Sequence, residues 1–159
     1  MKRLAVAFSG PSNSGKTTLI IKVAKIFLEE KLKVVVIKHD PADKARFDVE
    51  GKDSYKFSEI GADVVVLSPT RSTYFSQEKK DLDDVIKMLG DFDILIVEGL
   101  KTLPLPRISV FRDKIDESYL SFSDVIVTND IKFDTNLPNL NINNAEEICS
   151  WIKNNAKKV

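Results

Sequence analysis

Cysteine and histidine are almost absent: the 159-residue chain holds one of each, Cys149 and His39. A single thiol forms no internal disulfide, and no CxxC pair or Cys/His cluster offers the ligand set of a structural zinc, so the composition fits a reducing cytoplasm. An excess of charge of either sign is missing too, because 24 Lys and Arg balance 24 Asp and Glu. No whole-molecule field then draws the protein to nucleic acid or to an anionic membrane, and any anion binding has to be local. Long apolar runs are also lacking. After the basic start only LAVAF precedes Ser9 and Gly10, too short for the core of a signal peptide, and nothing approaches the roughly 20 residues of a membrane helix. These absences predict a soluble cytoplasmic protein, and 43% apolar residues over this length suit a single domain, residues 1–159, around one core.

What the chain does have is a series of short apolar runs rich in β-branched residues: LAVAF (4–8), VVVI (34–37), DVVVL (63–67), DILIV (93–97), RISVF (107–111) and DVIVT (124–128). They do not alternate with polar residues, which suits strands buried on both faces. Between them lie helical stripes. Leu19, Ile20, Val23, Ala24 and Phe27 predict a helix over 16–30, and Leu82, Val85, Ile86 and Leu89 a second over 81–89. Ala145, Ile148, Cys149 and Ile152 predict a third over about 144–157, with Asn144 and Glu147 in a variant capping box. Strands alternating with helices predict an α/β fold: a mainly parallel twisted sheet flanked by helices on both faces. Such sheets bind ligands beyond the carboxyl ends of their strands. The loops to inspect are therefore SGPSNSGKT, KHDPADKARFDVEGKDS and EGLKTLPLP. The connection from Lys38 to Asp63 is too long for one helical crossover, and long loops in compact domains are often functional.

Gly10, Gly15, Lys16 and Thr17 satisfy GxxxxGK[ST] between an expected strand and an expected helix, the context such a match requires. Glycine lets successive backbone N–H groups turn toward one anion, and the helix N-terminus adds about half a positive charge aimed the same way. Gly10, Pro11, Ser12, Asn13, Ser14, Gly15, Lys16, Thr17 and Thr18 are accordingly expected to cradle a nucleoside triphosphate. Lys16 would meet its β- and γ-phosphates and Thr17 its Mg²⁺.

Glu98 follows the run 93–97 at the same expected edge, where a carboxylate can hold Mg²⁺, hold one of its waters, or orient an attacking water. Asp40, after VVVIKH, is a second candidate for metal or water, with loop capping as the alternative. His39 is placed to donate to phosphate, or is simply structural. The turn DVEGKDS could form a second anion site through Lys52 and Ser54; the plainer reading is a helix capped by Asp53 or Ser54. Asn129 and Asp130, after the run 124–128, have the chemistry to read a guanine edge, although Asn-Asp is also common turn chemistry.

The set GPSNSGKTTL, VVVIKHD, FDVEGKDSYKFSEIGA, DILIVEGLK and LPRISVFR resembles the MobB family, molybdopterin-guanine dinucleotide biosynthesis protein B, in order from Leu4 to about Arg112. The resemblance implies a P-loop NTPase fold and a GTP-binding protein, usually a homodimer, that hydrolyses GTP slowly. It also implies a role in attaching GMP to molybdopterin, with the nucleotidyl transfer itself done by a partner guanylyltransferase. Carried over by position, it implies phosphate and Mg²⁺ contacts for Gly10 through Thr17, a place beside the metal for Glu98, and site roles for Asp48, Gly51, Lys52, Asp53 and Ser54. One departure is that further histidines often follow KH in the family, where this chain reads DPADKAR. Two other readings use the same cradle. A small-molecule kinase would take Glu98 or Asp40 as base but needs an arginine-rich lid. A maturation GTPase for another metal centre, related to the nickel-inserting GTPases, needs the Cys/His ligands missing here.

Overall fold

The computed structural model describes residues 3–129 and 131–159. In chain order the elements are β1 (Leu4–Ser9), α1 (Lys16–Glu29), β2 (Val34–Lys38), α2 (Asp53–Glu59), β3 (Val64–Leu67), β4 (Ser72–Phe75), α3 (Leu82–Met88), β5 (Ile94–Glu98), β6 (Arg107–Val110), a 3-10 helix (Glu117–Phe122), β7 (Val125–Thr128), β8 (Asn139–Asn141), α4 (Ala145–Asn155) and β9 (Lys157–Lys158). They form two compact units. Unit 1 is the segment up to His39 together with Asp91–Val159, and unit 2 is Asp40–Gly90, inserted in sequence between β2 and β5.

Unit 1 is built on a sheet of order β2-β5-β1-β6-β7-β8 in which every neighbouring pair is parallel, while β9 pairs antiparallel with the start of β1. This is the mainly parallel α/β architecture expected from the apolar runs. The register lines up alternate side chains: Phe8 sits beside Ile108, which sits beside Val125, and Val6 beside Ile96. These residues meet Leu19, Ile20, Val23 and Phe27 of α1 and Ile148, Cys149 and Ile152 of α4 in one core. Burying four large side chains of α1 contributes about 6–12 kcal/mol before entropy is counted, which fixes the start of that helix against the sheet edge. The Cys149 thiol is buried, and desolvation pushes it up to about 11, so it stays an inert thiol. Asn144 accepts from Glu147 N at 3.2 Å and its amide donates back to Glu147 Oε2 at 3.1 Å, the reciprocal cap expected for α4.

On the other side of β6, the alternating positions Arg107 and Ser109 are polar yet buried. Ser109 Oγ lies 3.0 Å from Ser9 Oγ and 2.6 Å from Ser123 Oγ, which ties the end of the 3-10 helix to the sheet. Phe111 packs edge-on against Tyr119 of the same helix, ring centroids 6.0 Å apart.

Unit 2 departs from the expected pattern. The run 63–67 does not join the parallel sheet; β3 pairs antiparallel with β4 alone, Val64 opposite Phe75 and Leu67 opposite Ser72. Only its first residue, Val64, is buried, so the expectation of burial on both faces fails for this run. In unit 1 the VVVI run is likewise not buried on both faces: it is an edge strand whose residues are half-buried or exposed, because β5 is its only strand partner among the described residues. Helix α2 starts at Asp53 after an extended Lys52 with no side-chain cap, so neither Asp53 nor Ser54 plays the capping part the sequence suggested. Strands β4 and β8 have no apolar run to announce them. No helix among the described residues is long and apolar enough to cross a membrane.

Candidate functional site

The loop from Gly10 to Gly15 turns the chain from β1 into α1. Gly10 has φ +133, and a Cβ there would lie 2.3 Å from Val110 O, so only glycine fits so close to β6. Asn13 (φ 61) and Gly15 (φ 93) also adopt positive φ, which bends the loop back over the helix start. Leu19 N donates to Gly15 O at 3.0 Å, the first bond of the helix. The cap residue has no side chain to offer and the first turn holds no acid, so neither a cap side chain nor a first-turn carboxylate offsets the leading N–H groups and the helix dipole. An open cavity of about 310 Å³ lies against this end, lined by Asn13, Ser14, Gly15, Lys16, Thr17, Thr18 and Arg112. This is an anion-binding arrangement.

Lys16 folds back on the loop. Its Nζ donates to Pro11 O at 2.7 Å, Gly10 O at 3.0 Å and Ser14 Oγ at 3.5 Å. Burial pushes its pKa below the usual lysine value; the charge of Glu98 opposes that shift and Lys38 adds to it. Glu98 ends β5 in register with Phe8, one residue short of the end of β1, and its side chain is 13% exposed. Its carboxylate accepts from Lys38 Nζ at 3.4 Å, a partner that is mostly exposed and so contributes little binding energy. His39 N donates to Glu98 O at 3.0 Å, and a Cβ on Gly99 would come within 3.1 Å of His39 Cβ, so the histidine lies over the Glu98–Gly99 backbone.

Arg107, 1% exposed, fixes the turn that follows Glu98. Its guanidinium donates to Leu100 O at 3.0 Å, Leu103 O at 3.2 Å and Gly99 O at 3.4 Å, and burial lowers its pKa against the raising effect of Asp124. A positive φ at both Gly99 and Leu100 points those carbonyls at one donor fork. Nothing in the spacing of LPLPRISVF distinguishes this arginine from a surface one; its place on the buried face of β6 does.

Asn129, at the end of β7, lines a second cavity of about 200 Å³ with Gly15, Thr18, Leu19, Lys22, Arg112, Ile142 and Asn143. Gly15, Thr18 and Arg112 are common to both cavities, so the two adjoin. Thr128 O accepts from Ile142 N at 2.9 Å, and Asn141 Oδ1 accepts from Asn143 N at 2.8 Å, so a turn after β8 sets both residues at the wall. Asp130, paired with Asn129 in the sequence reading, lies outside the described residues. Arg112, Ile142 and Asn143 were missed as site residues. Arg112 directly follows the run 107–111, so inspecting the residue after every parallel strand would have reached it. Ile142 and Asn143 follow a three-residue strand with no sequence signal.

The remaining candidates belong to unit 2. Asp40 accepts from Ala45 N at 2.7 Å, a loop-capping contact. Asp48 accepts from Ser54 Oγ at 2.8 Å, Val49 N at 3.1 Å and Ser58 Oγ at 3.3 Å. Gly51 has φ +85 in open space, and Asp53 pairs with Lys56 at 3.2 Å on the surface. Asp48, Lys52 and Ser54 line a cavity in this unit. No group of three or more His, Cys, Asp or Glu able to hold a metal occurs among the described residues.

Residues 5–129 match the family model described as MobB, Molybdopterin guanine dinucleotide synthesis protein B. A putative molybdopterin-guanine dinucleotide biosynthesis adapter protein of Methanocaldococcus jannaschii is 37% identical over 111 residues, 66% of this chain and 46% of that protein, so the chain spans about half the length of this relative. The molybdopterin-guanine dinucleotide biosynthesis adapter protein of Haemophilus influenzae is 32% identical over 162 residues, 94% of this chain and 87% of its own. A crystal structure of molybdopterin-guanine biosynthesis protein B superposes with a TM-score of 0.76 at 28% identity, covering 95% of this chain and 99% of the other. The match runs from β1, through the phosphate-type loop, past the Glu98 turn to the end of β7; this chain belongs to the MobB family.

Proposed function

We propose that the protein is a GTP-binding adapter in molybdopterin guanine dinucleotide biosynthesis, a slow Mg²⁺-dependent GTPase that supports transfer of GMP to molybdopterin by a partner guanylyltransferase in the cytoplasm. The observation that carries the nucleotide part is the amide end of α1, without a side-chain cap, against an open cavity that Lys16 helps to line. The triphosphate would replace the loop carbonyls as the partner of Lys16, an exchange favoured because phosphate restores the charge that burial disfavours. Thr17 and Glu98 offer the hard oxygen ligands Mg²⁺ prefers, and His39 lies beside Glu98. When bound, the metal would neutralise charge on the β- and γ-phosphates. The adjoining cavity at Asn129 suits a nucleobase, and the carboxylate chemistry of Asp130, next in sequence, would suit the N–H edge of guanine. The pathway assignment is supported by the family and by the names its members carry.

A homodimer is the assembly we favour. Val65, Leu67 and Tyr74 share one face of the β3–β4 hairpin at 59%, 78% and 42% exposure, and an isolated two-stranded sheet is marginal in water. A second copy would cover that face. The reading is tested by titrating GTP, GDP and ATP with and without Mg²⁺, in the wild type and in Asp130→Asn and Glu98→Gln. Tight Mg²⁺-dependent GTP binding with little turnover, discrimination against ATP relaxed by Asp130→Asn, and turnover lowered by Glu98→Gln are expected. Equal binding of ATP and GTP by the wild type would remove the guanine assignment, and rapid phosphoryl transfer to a small hydroxyl acceptor would replace the adapter with a kinase.

A further inference from the structure

A cavity of about 490 Å³ opens on unit 2, lined wholly by residues of that unit. Its volume is in the range of small-molecule sites. The lining divides by chemistry. Lys52 and Arg71 are its cations, Ser54 and Thr70 supply hydroxyls, and Phe47 and Phe75 are its aromatics. Among the described residues neither the Lys52 ammonium nor the Arg71 guanidinium has a hydrogen bond or ion pair.

The wall is held in shape by contacts that leave the two cationic side-chain ends unused. Ser68 Oγ donates to Arg71 O at 3.0 Å and accepts from Arg71 N at 3.1 Å, which closes the 68–71 turn and fixes the backbone that carries the arginine. The Asp48 carboxylate also lines the cavity and fixes Ser54 through a 2.8 Å bond. Phe47 leaves 82% of its surface in water at the rim, a large apolar exposure that a flat ligand would cover. Val66, Thr73 and Phe75 lie on one face of the β3–β4 hairpin, and the register puts Val65, Leu67 and Tyr74 on the other. The cavity therefore leaves the proposed dimer face free.

Two cations against one carboxylate leave a single net positive charge, a match for one phosphate monoester and a poor one for a triphosphate. Guanidinium forks fit phosphate oxygens in pairs, and aromatic rings stack on planar heterocycles. Asp48, with acceptor capacity left beyond its serine contacts, complements ring N–H donors such as those of a 2-amino-4-oxo heterocycle.

We propose that this cavity is a second ligand site, in addition to the α1 cradle, for a pterin carrying a phosphate monoester, with Arg71 and Lys52 on the phosphate and Phe47 and Phe75 against the ring. The proposal rests on the pathway reading above. It is tested with neopterin monophosphate, followed by its own fluorescence, on protein whose cradle is first saturated with GDP and Mg²⁺. GMP and inorganic phosphate serve as competitors, and GTP binding is titrated in parallel on every variant.

Saturable binding is expected, weakened at least tenfold by Arg71→Ala, partly restored by Arg71→Lys and weakened severalfold by Phe47→Ala, with GTP affinity unchanged in all three. No saturable binding, equal binding by Arg71→Ala, or displacement of the bound pterin by GMP at concentrations below the pterin's own dissociation constant would overturn the site. If GTP still binds in that event, the cradle reading stands and only this inference is lost. If GTP fails to bind while the pterin binds through Arg71, the nucleotide reading falls and this site remains.

Discussion

Ile94–Val97 of β5 and Val64–Leu67 of β3 are apolar runs of the same length, yet they end in opposite environments. The four residues of β5 are at most 2% exposed, whereas Val65, Val66 and Leu67 of β3 are 40–78% exposed. The difference lies in what surrounds them. Strand β5 sits between β2 and β1 with both faces covered, while β3 has one antiparallel partner. Unit 1 spends its apolar sequence on a close-packed platform that aims α1 and the strand ends at one place. Unit 2 leaves comparable sequence open, where the proposed second copy and the proposed ligand would cover it.

The contrast can be tested from its strongest consequence downward. Gly10→Ala forces a Cβ to 2.3 Å from Val110 O at φ +133 and should cost about 3 kcal/mol or more of unit 1 stability, read by chemical denaturation; a near-neutral result would mean the loop is not packed against β6. Lys16→Ala should weaken GTP about 100-fold, near 2.7 kcal/mol, with an unchanged melting temperature. Titration calorimetry checks it, and unaltered affinity would remove the cradle assignment.

Val97→Ala and Val65→Ala make the direct comparison. The first deletes fully buried methyl groups and should cost about 2 kcal/mol. The second acts at an exposed position and should stay within about 0.5 kcal/mol in dilute protein. An equal cost for both would show that the hairpin face is already covered in solution.

The smallest effect is on pH. Burial holds the Lys16 pKa of the free protein below 10.5, and bound phosphate should raise it. Binding then takes up a proton in the window between the two values, so GTP affinity should fall severalfold as pH climbs through that window. Calorimetry in buffers of different ionisation heat measures the proton uptake directly, and Lys16→Ala should abolish it.

Much of unit 1 was legible. The order of strands and helices, the start of α1, the reciprocal cap at Asn144 and the glycine loop all follow from short-range causes, namely apolar periodicity, capping chemistry and backbone freedom. The candidate site was legible where its residues lie in one stretch or directly after an apolar run, as with Gly10–Thr18 and Glu98. Arg107 shows the limit. Its sequence neighbourhood is unremarkable, and only the pairing of β6 between β1 and β7 turns it inward toward three carbonyls. Arg112, Ile142 and Asn143 are far from Gly15 in sequence and meet it because parallel strands end at a common edge.

The sequence by itself therefore determined a parallel α/β unit with a phosphate-type loop, since each part of that loop is encoded within a few residues. Tertiary structure alone decided which apolar run found a second partner, which arginine was buried, and which distant side chains wall the cavities. Strand pairing is non-local, and one run such as VVVL satisfies an edge hairpin or a sheet centre equally well until the rest of the chain supplies its neighbours.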